Sequence, residues 1–197
     1  MDWVSASMRI AIDLDSTVIN TVETLIDYIN ERVPVNLKID DVTSYNIEAA
    51  LPEQYRWIVE AGFRDKLMWK KVSLLPFCAE VIERIYNEGH EVWFATASLP
   101  ENLYKKINHL SRNMKFFPEG YVWRHTINIQ DKYLLDVDIL IDDCLKHAAH
   151  PLRDYLSIVP EYPWNVSSDV REGIWWAKDW HEIYDLVKMI ELKGDNI

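Results

Sequence analysis

Asp13 and Asp15 stand two residues apart, just past a short apolar run from Met8 to Ile12. The run reads as a buried strand. Carboxylates two apart on a continuing strand point to the same side of the sheet. A second apolar run, Val137 to Ile141, ends in the pair Asp142–Asp143. A third, Glu91 to Ala95, ends in hydroxyls at Thr96 and Ser98, with Ala97 between them. Lys132 lies in a helical turn ahead of the second run. Four carboxylates brought together without compensation would repel, and some would have to protonate. A Mg²⁺ ion resolves the conflict, because it takes oxygen ligands, usually one or two carboxylates together with substrate phosphate. With Lys132 and the Thr96 hydroxyl it makes a pocket for a group with three charged oxygens. In such a pocket one Asp can attack phosphorus, while the other protonates the leaving alkoxide and then activates water. Taken alone, Asp13-Leu-Asp15 reads equally well as an acidic turn capping a helix, so the remaining elements must decide.

Those elements alternate. After Thr17, the residues Val18, Val22, Leu25, Ile26, Ile29 and Val33 fit one helix face, which Pro34 ends. Pro76 opens another helix, closed by Gly89, and Pro100 opens a third. Tyr121 to His125, Ser157 to Pro160 and Gly173 to Ala177 are short strand candidates. Asp179, with Glu182 three residues on, marks the start of a closing helix. Strands alternating with helices predict a parallel α/β sheet of Rossmann-like form, covered on both faces. In such a sheet the working crevice lies beyond the carboxyl ends of the strands, where Asp13, Asp15, Thr96, Asp142 and Asp143 all fall.

Residues 35–75 show no alternating strand pattern. They carry Tyr45, Tyr55, Trp57, Phe63 and Trp69, and a local charge of +3 between Arg56 and Lys71. This reads as an amphipathic helical hairpin. Its aromatic faces and cations also suit a planar, anionic ligand.

The net charge of −11 argues against unspecific attraction to long nucleic acid or to anionic membrane surfaces. With 49% hydrophobic residues and nine Trp, disorder is not expected. The N-terminus shows no leader pattern, and no apolar run is long enough to span a bilayer. Cys78 and Cys144 form no metal spacing and read as reduced thiols, so a cytoplasmic protein is expected. A homodimer is compatible with all of this.

As a set, Asp13-x-Asp15-x-Thr17, Thr96, Lys132 and Asp142-Asp143 resemble the four motifs of the haloacid dehalogenase superfamily of phosphohydrolases. Within it, Asp131-Lys132-x-x-Leu-x-x-Asp138-Ile-Leu-Ile-Asp142-Asp143 is similar to the third and fourth motifs of the 5′(3′)-deoxyribonucleotidases. Trp176-x-x-Asp179-Trp180 resembles their C-terminal motif, and Pro163-Trp164-Asn165 a loop of bacterial members. The resemblance implies a Mg²⁺-dependent phosphatase acting on nucleoside monophosphates, with Asp13 as nucleophile and metal ligand. Asp15 would be the acid/base, with its backbone carbonyl on the metal. Thr96, Ala97 and Lys132 would hold phosphate, and Asp143, with Asp142 beside it, would bind metal. It also implies a core of residues 1–19 and 76–197 and a helical cap of residues 20–75, whose Trp57, Phe63 and Trp69 would face the base. Ser16-Thr17, Ala97 and Phe77 depart from the usual Gly-Val, Ser and Gly. Phosphatases of other phosphate esters, and a non-catalytic nucleotide binder, are the competing readings. His147 and His150 are expected to be surface polar residues, Cys144 a packing residue, and Trp175, Trp176 and Trp180 core.

Overall fold

A computed structural model describes residues 7–166 and 172–194. Residues 1–6, which carry most of the N-terminal reading, lie outside them. Six strands form one sheet: β1 (Arg9–Ile12), β2 (Glu91–Thr96), β3 (Thr126–Asn128), β4 (Ile139–Ile141), β5 (Leu156–Pro160) and β6 (Ile174–Ala177). Their order is β3-β2-β1-β4-β5-β6, and every pairing is parallel. Ile10 lies between Val92 and Ile139, so the first and fourth strands end level and bring Asp13 beside Asp142. The central strands read as unbroken apolar runs because both sheet faces are buried.

Alternation divides the two faces. Ile10, Ile12, Phe94 and Ile141 enter the main core, against α4 (Cys78–Asn87) and α8 (Trp180–Gly194). Ala11, Ala95 and Leu140 face a smaller cluster with Leu135, Val137 and Tyr155. Asp179 Oδ1 accepts from the backbone N–H of His181 and of Glu182, so the expected start of the closing helix is present. Trp180 is buried and donates to the Thr17 carbonyl, while Trp175 and Trp176 are half-buried. Among the described residues no helix is long and apolar enough to cross a membrane.

Two expectations are corrected. Tyr121 to His125 is not a strand. Tyr121–Arg124 is a short helix, α6, and β3 follows it. Tyr121 stacks its ring on Phe117 ahead of the helix and on His125 just past it, at 4.4 and 3.8 Å between centroids, and His125 N–H donates to the Tyr121 carbonyl. The first helix begins at Thr21 rather than at Val18: α1 spans Thr21–Asn30. Residues 16–19 instead form a turn in which Ser16, at φ 56°, donates to the Ile19 carbonyl, and Ile19 bridges to Leu74. Val18 is nevertheless fully buried, which is why it extended the helical pattern.

Between that turn and Leu75 the chain makes α1, α2 (Trp57–Arg64) and α3 (Lys66–Lys71), which pack on one another, plus short 3₁₀ turns. The two strands of chain joining this segment to the sheet are clamped together. Asn20 N–H donates to the Ser73 carbonyl, Asn20 Oδ1 accepts from Ser73 N–H, and Leu75 N–H donates to the Val18 carbonyl. Phe77, at φ 62°, holds a left-handed conformation ahead of α4 and rests its exposed ring on His181, 4.5 Å between centroids. The αL region is costly for any residue with a Cβ, so a Gly is the usual choice here.

His90 lies buried at the opposite end of the sheet, where its Nδ1 accepts from Met8 N–H and its Nε2 faces Glu191 at 3.6 Å. Burial pushes its pKa below the usual value and Lys188 adds to this, while Glu191 and Glu88 oppose the shift. A histidine depressed in the folded state must take up a proton on unfolding. Its contribution to stability is therefore present above about pH 6.5 and is lost as pH falls toward the folded pKa. The melting temperature should fall more steeply between pH 7.5 and 5.5 for the native protein than for His90→Gln. Parallel curves would remove His90 from that role.

Candidate active site

The sheet itself delivers the carboxylates. Asp13 N–H donates to the Ile141 carbonyl at 2.8 Å, and Asp142 N–H to the Ile158 carbonyl at 3.1 Å. Each thus continues a strand pairing one residue past the strand, so its backbone is fixed by the ladder. Oxygens of Asp13, Asp142 and Asp143 lie within 4.8 Å of one another, and all three residues are buried.

Lys132 enters this group from a 3₁₀ turn, Lys132–Leu134. Its ammonium is 1% exposed and donates to Asp13 Oδ1 and to Asp142 Oδ2, the latter at 2.7 Å. Burial would lower its pKa, but the two carboxylates outweigh burial and raise it. Burial, with Asp142 and Asp15 adding to it, pushes Asp13 up to about 6 against the pull of Lys132. Asp143 is pushed well above the usual range, first by burial and then by Asp13 and Asp142. Asp142 goes the other way: burial works to raise it, yet Lys132 and His147 together hold it down.

Fully ionised, the cluster sets three carboxylates against one ammonium, an excess of two negative charges in a buried place, which is why two of them favour the proton. Its donors are all oxygen, the set preferred by hard divalent cations. A Mg²⁺ ion fits both the charge and the donor chemistry. Both Asp142 oxygens are already used, Oδ1 by Cys144 N–H at 2.8 Å and Oδ2 by Lys132 and His147. Asp143 gives Oδ2 to the Trp164 indole N–H at 2.9 Å, and its backbone carbonyl to Asn165 Nδ2 at 2.8 Å. Of the pair, Asp143 is therefore the better placed to offer an oxygen outward.

Asp15 sits apart from that cluster, a third exposed. Thr21 Oγ1 donates to its Oδ1 at 2.7 Å, and Lys106 donates to its Oδ2. Lys106, on α5 (Pro100–Asn113), is 2% exposed and also reaches Thr96 Oγ1 at 3.2 Å and Ser98 Oγ. Ser98 is held by Asn128 through its N–H and its carbonyl, at 2.9 and 3.0 Å. Ala97, between the two hydroxyl residues, offers only backbone. The first motif's two aspartates thus meet different lysines, Asp13 the Lys132 it shares with Asp142 and Asp15 the Lys106 of α5.

The helical segment meets the site through α5. Phe63 carbonyl accepts from Trp69 Nε1 at 2.7 Å and from Asn102 Nδ2 at 2.9 Å. The Lys106 ammonium lies 5.5 Å from the Trp69 ring centre. Trp69 is buried, Phe63 half-buried, and Trp57 is 61% exposed. Tyr45 is one of the exposed aromatics of this segment.

Three groups escaped the sequence. Lys106 was one of several helical lysines, and nothing in its spacing marks it. Thr21 reads as an ordinary helix residue. His147, expected on the surface, is buried, with Nδ1 3.0 Å from Asp142 Oδ2. The helix carrying it, α7 (Leu145–Ala148), is one turn long, so the His147/His150 spacing had no long surface face to belong to. Cys144 is buried packing, as expected, and burial pushes its thiol up to about 11.

A parallel sheet whose strand ends carry this constellation defines a class, the haloacid dehalogenase-like hydrolases. A family hydrolase of that kind from Deinococcus radiodurans, solved with bound phosphate and sodium, matches 95% of this chain and 98% of its own at TM-score 0.63 and 13% identity. One from Xanthomonas campestris matches 98% and 100% at TM-score 0.60 and 12% identity. These likenesses show the fold. The chain belongs to the family described as 5′ nucleotidase, deoxy (pyrimidine), cytosolic type C protein, which matches residues 7–193. Proteins provisionally named 5′(3′)-deoxyribonucleotidase are similar as well. One from Staphylococcus epidermidis is 24% identical over 137 residues, 68% of this chain and 73% of its own. One from Staphylococcus aureus is 27% identical over 136 residues, 68% and 72%. The protein is a phosphoric monoester hydrolase of nucleotidase type.

Proposed function

We propose that this protein hydrolyses (deoxy)ribonucleoside monophosphates to nucleoside and phosphate through an aspartyl-phosphate on Asp13, with Mg²⁺ as cofactor. The observation that carries this reading is the division of labour between the two aspartates. Asp13 is buried with Lys132 beside Asp142 and Asp143, and Asp15 is a third exposed beside Thr21 and Lys106. A protein that only bound nucleotide would have no use for the second.

Asp13 and Asp143 would hold the ion, with the Asp15 backbone carbonyl as a third oxygen. Bound there, Mg²⁺ supplies positive charge against the phosphoryl oxygens. An Asp13 oxygen forms a bond to phosphorus as the bond to the ester oxygen breaks, and Asp15 gives that oxygen a proton. Water then attacks the same phosphorus, and Asp15 takes its proton. The phosphorus–Asp13 bond breaks, and inorganic phosphate leaves. Lys132 and the Thr96 hydroxyl hold the phosphoryl oxygens throughout, and Lys106 keeps Asp15 turned toward them.

Residues 20–75 would act as the cap over this crevice, with residues 1–19 and 76–197 as the core. Phe63 and Trp69, near Lys106, would offer aromatic faces to a base on the phosphate-bearing sugar. The test is phosphate release from a panel of nucleoside monophosphates with Mg²⁺, and with EDTA in its place. Turnover that needs Mg²⁺ and favours nucleotides over para-nitrophenyl phosphate is expected. No turnover of either substrate would sink the enzyme reading, and no preference would sink the nucleotide one. Stacking of a base on an aromatic face is worth about 1–3 kcal/mol. Trp69→Leu keeps an apolar side chain without that face, and should raise KM for nucleotides roughly tenfold with little change for the aryl phosphate.

A further inference from the structure

We propose that His147 is a positioning residue for phosphate transfer: its ring N–H on Asp142 Oδ2 fixes how much of that carboxylate Lys132 can claim, and so where the Lys132 ammonium points. The proposal rests on the phosphatase reading above and adds a residue to it.

The hydrogen bonds at Asp142 are fully accounted for. A carboxylate only accepts, so the imidazole Nδ1 facing it carries the hydrogen. Oδ1 takes Cys144 N–H at 2.8 Å. Oδ2 takes Lys132 Nζ at 2.7 Å and His147 Nδ1 at 3.0 Å. The Asp142 side chain is 1% exposed, so water does not replace a missing donor cheaply.

His147 is itself held from two sides. Its N–H donates to the Cys144 carbonyl at 2.9 Å, and its carbonyl accepts from the Tyr155 hydroxyl at 3.2 Å. One residue on, the Ala148 carbonyl accepts from Ser157 Oγ at 2.8 Å. The main chain of this turn is thus pinned to the fifth strand, and the ring has its place against Asp142 set by the sheet.

The consequence falls on Lys132. Its ammonium has three hydrogens, and two are spent on Asp13 and Asp142. The third is left for a phosphoryl oxygen. Remove the histidine donor, and Asp142 Oδ2 has a spare lone pair in a buried site. Among the described residues the cation on Asp142 Oδ2 is Lys132, and attraction at short range and low dielectric is strong. The ammonium is drawn toward Asp142 and away from Asp13 and the phosphate. Loss of a group that orients a site residue from behind typically costs about 10–100-fold in activity.

Two kinds of variant separate this from simple packing. His147→Phe keeps the ring and loses the N–H. His147→Asn places an amide N–H near the Nδ1 position. Kinetics of Mg²⁺-dependent phosphate release are measured on a nucleoside monophosphate and on para-nitrophenyl phosphate, together with inhibition by inorganic phosphate. His147→Phe should lower kcat/KM by about 10–100-fold, by the same factor on both substrates, because Lys132 meets phosphate and not base. Inorganic phosphate should inhibit it correspondingly less well. His147→Asn should recover activity to within about threefold of the native protein. A folded Phe variant with native kcat/KM would overturn the proposal, as would an Asn variant as impaired as Phe. A Phe variant that fails to fold while Asn folds sends the comparison to His147→Leu. If Leu fails too, the role is structural and the proposal falls. Absence of turnover in the native protein would instead reject the phosphatase reading itself. Weaker protection of the Phe variant than of the native protein by inorganic phosphate against thermal unfolding would still support the His147 role, and equal protection would overturn it.

Discussion

Asp13→Asn is expected to lower kcat by about 10⁴-fold or more while the protein stays folded. Removal of a nucleophile that acts within a concerted set of groups typically costs losses of this order. Asparagine has nearly the shape of aspartate, so the strand pairing through Asp13 N–H to the Ile141 carbonyl is untouched. The buried carboxylate it replaces is held there at a cost, with its pKa pushed up to about 6 by burial, Asp142 and Asp15. In the metal-free protein at neutral pH the substitution relieves that repulsion, so the melting temperature should not fall. Phosphate release and thermal unfolding, measured together, check both halves. Activity near the native level would take Asp13 out of the nucleophile's place. A large loss of stability would mean that the lost activity says nothing of chemistry.

Lys132→Met is expected to damage both stability and activity. Lys132 is the ammonium that Asp13 and Asp142 share. Methionine fills similar volume without charge, and leaves three buried carboxylates facing one another. Breaking a buried pair by removing one partner costs about 3–5 kcal/mol. For a chain of this size that is a drop in melting temperature of roughly 6–20 °C. The sign of the pH dependence follows from the raised pKa values of Asp13 and Asp143. Groups that prefer the proton when folded stabilise at low pH and lose that contribution as pH rises through the folded pKa. The deficit of Lys132→Met against the native protein should therefore shrink as pH is lowered from 7 toward 5. Saturating Mg²⁺ should offset part of it at pH 7, because an ion that binds only the folded state stabilises it. A deficit that grows on acidification would contradict the charge account of the cluster.

The strand ends were legible because a parallel sheet writes itself as short apolar runs, and its ladder then carries the next residue to a known edge. Asp13, Thr96 and Asp142 needed nothing else. The helices around α4, α5 and α8 were legible from period, proline and glycine. The segment from Tyr121 to His125 was not. Its order depends on Tyr121 stacking between Phe117 and His125, and a five-residue run holds no period. The turn at residues 16–19 was hidden for a related reason: Val18 is buried in the core, and burial alone mimicked a helix face.

Residue types and spacing by themselves determined that paired carboxylates and a hydroxyl share one edge of an α/β sheet. That follows from strand periodicity, which is local. Tertiary structure alone decided which groups answer them. Lys106 reaches Asp15 from a helix 91 residues away in the chain, and His147 turns inward onto Asp142. It also separated Asp142, whose oxygens are used inside the protein, from Asp143, held by Trp164 with one oxygen to offer. Buried charge must find opposite charge or a donor wherever the packing brings one. The sequence states the need, and only the packed fold supplies the partner.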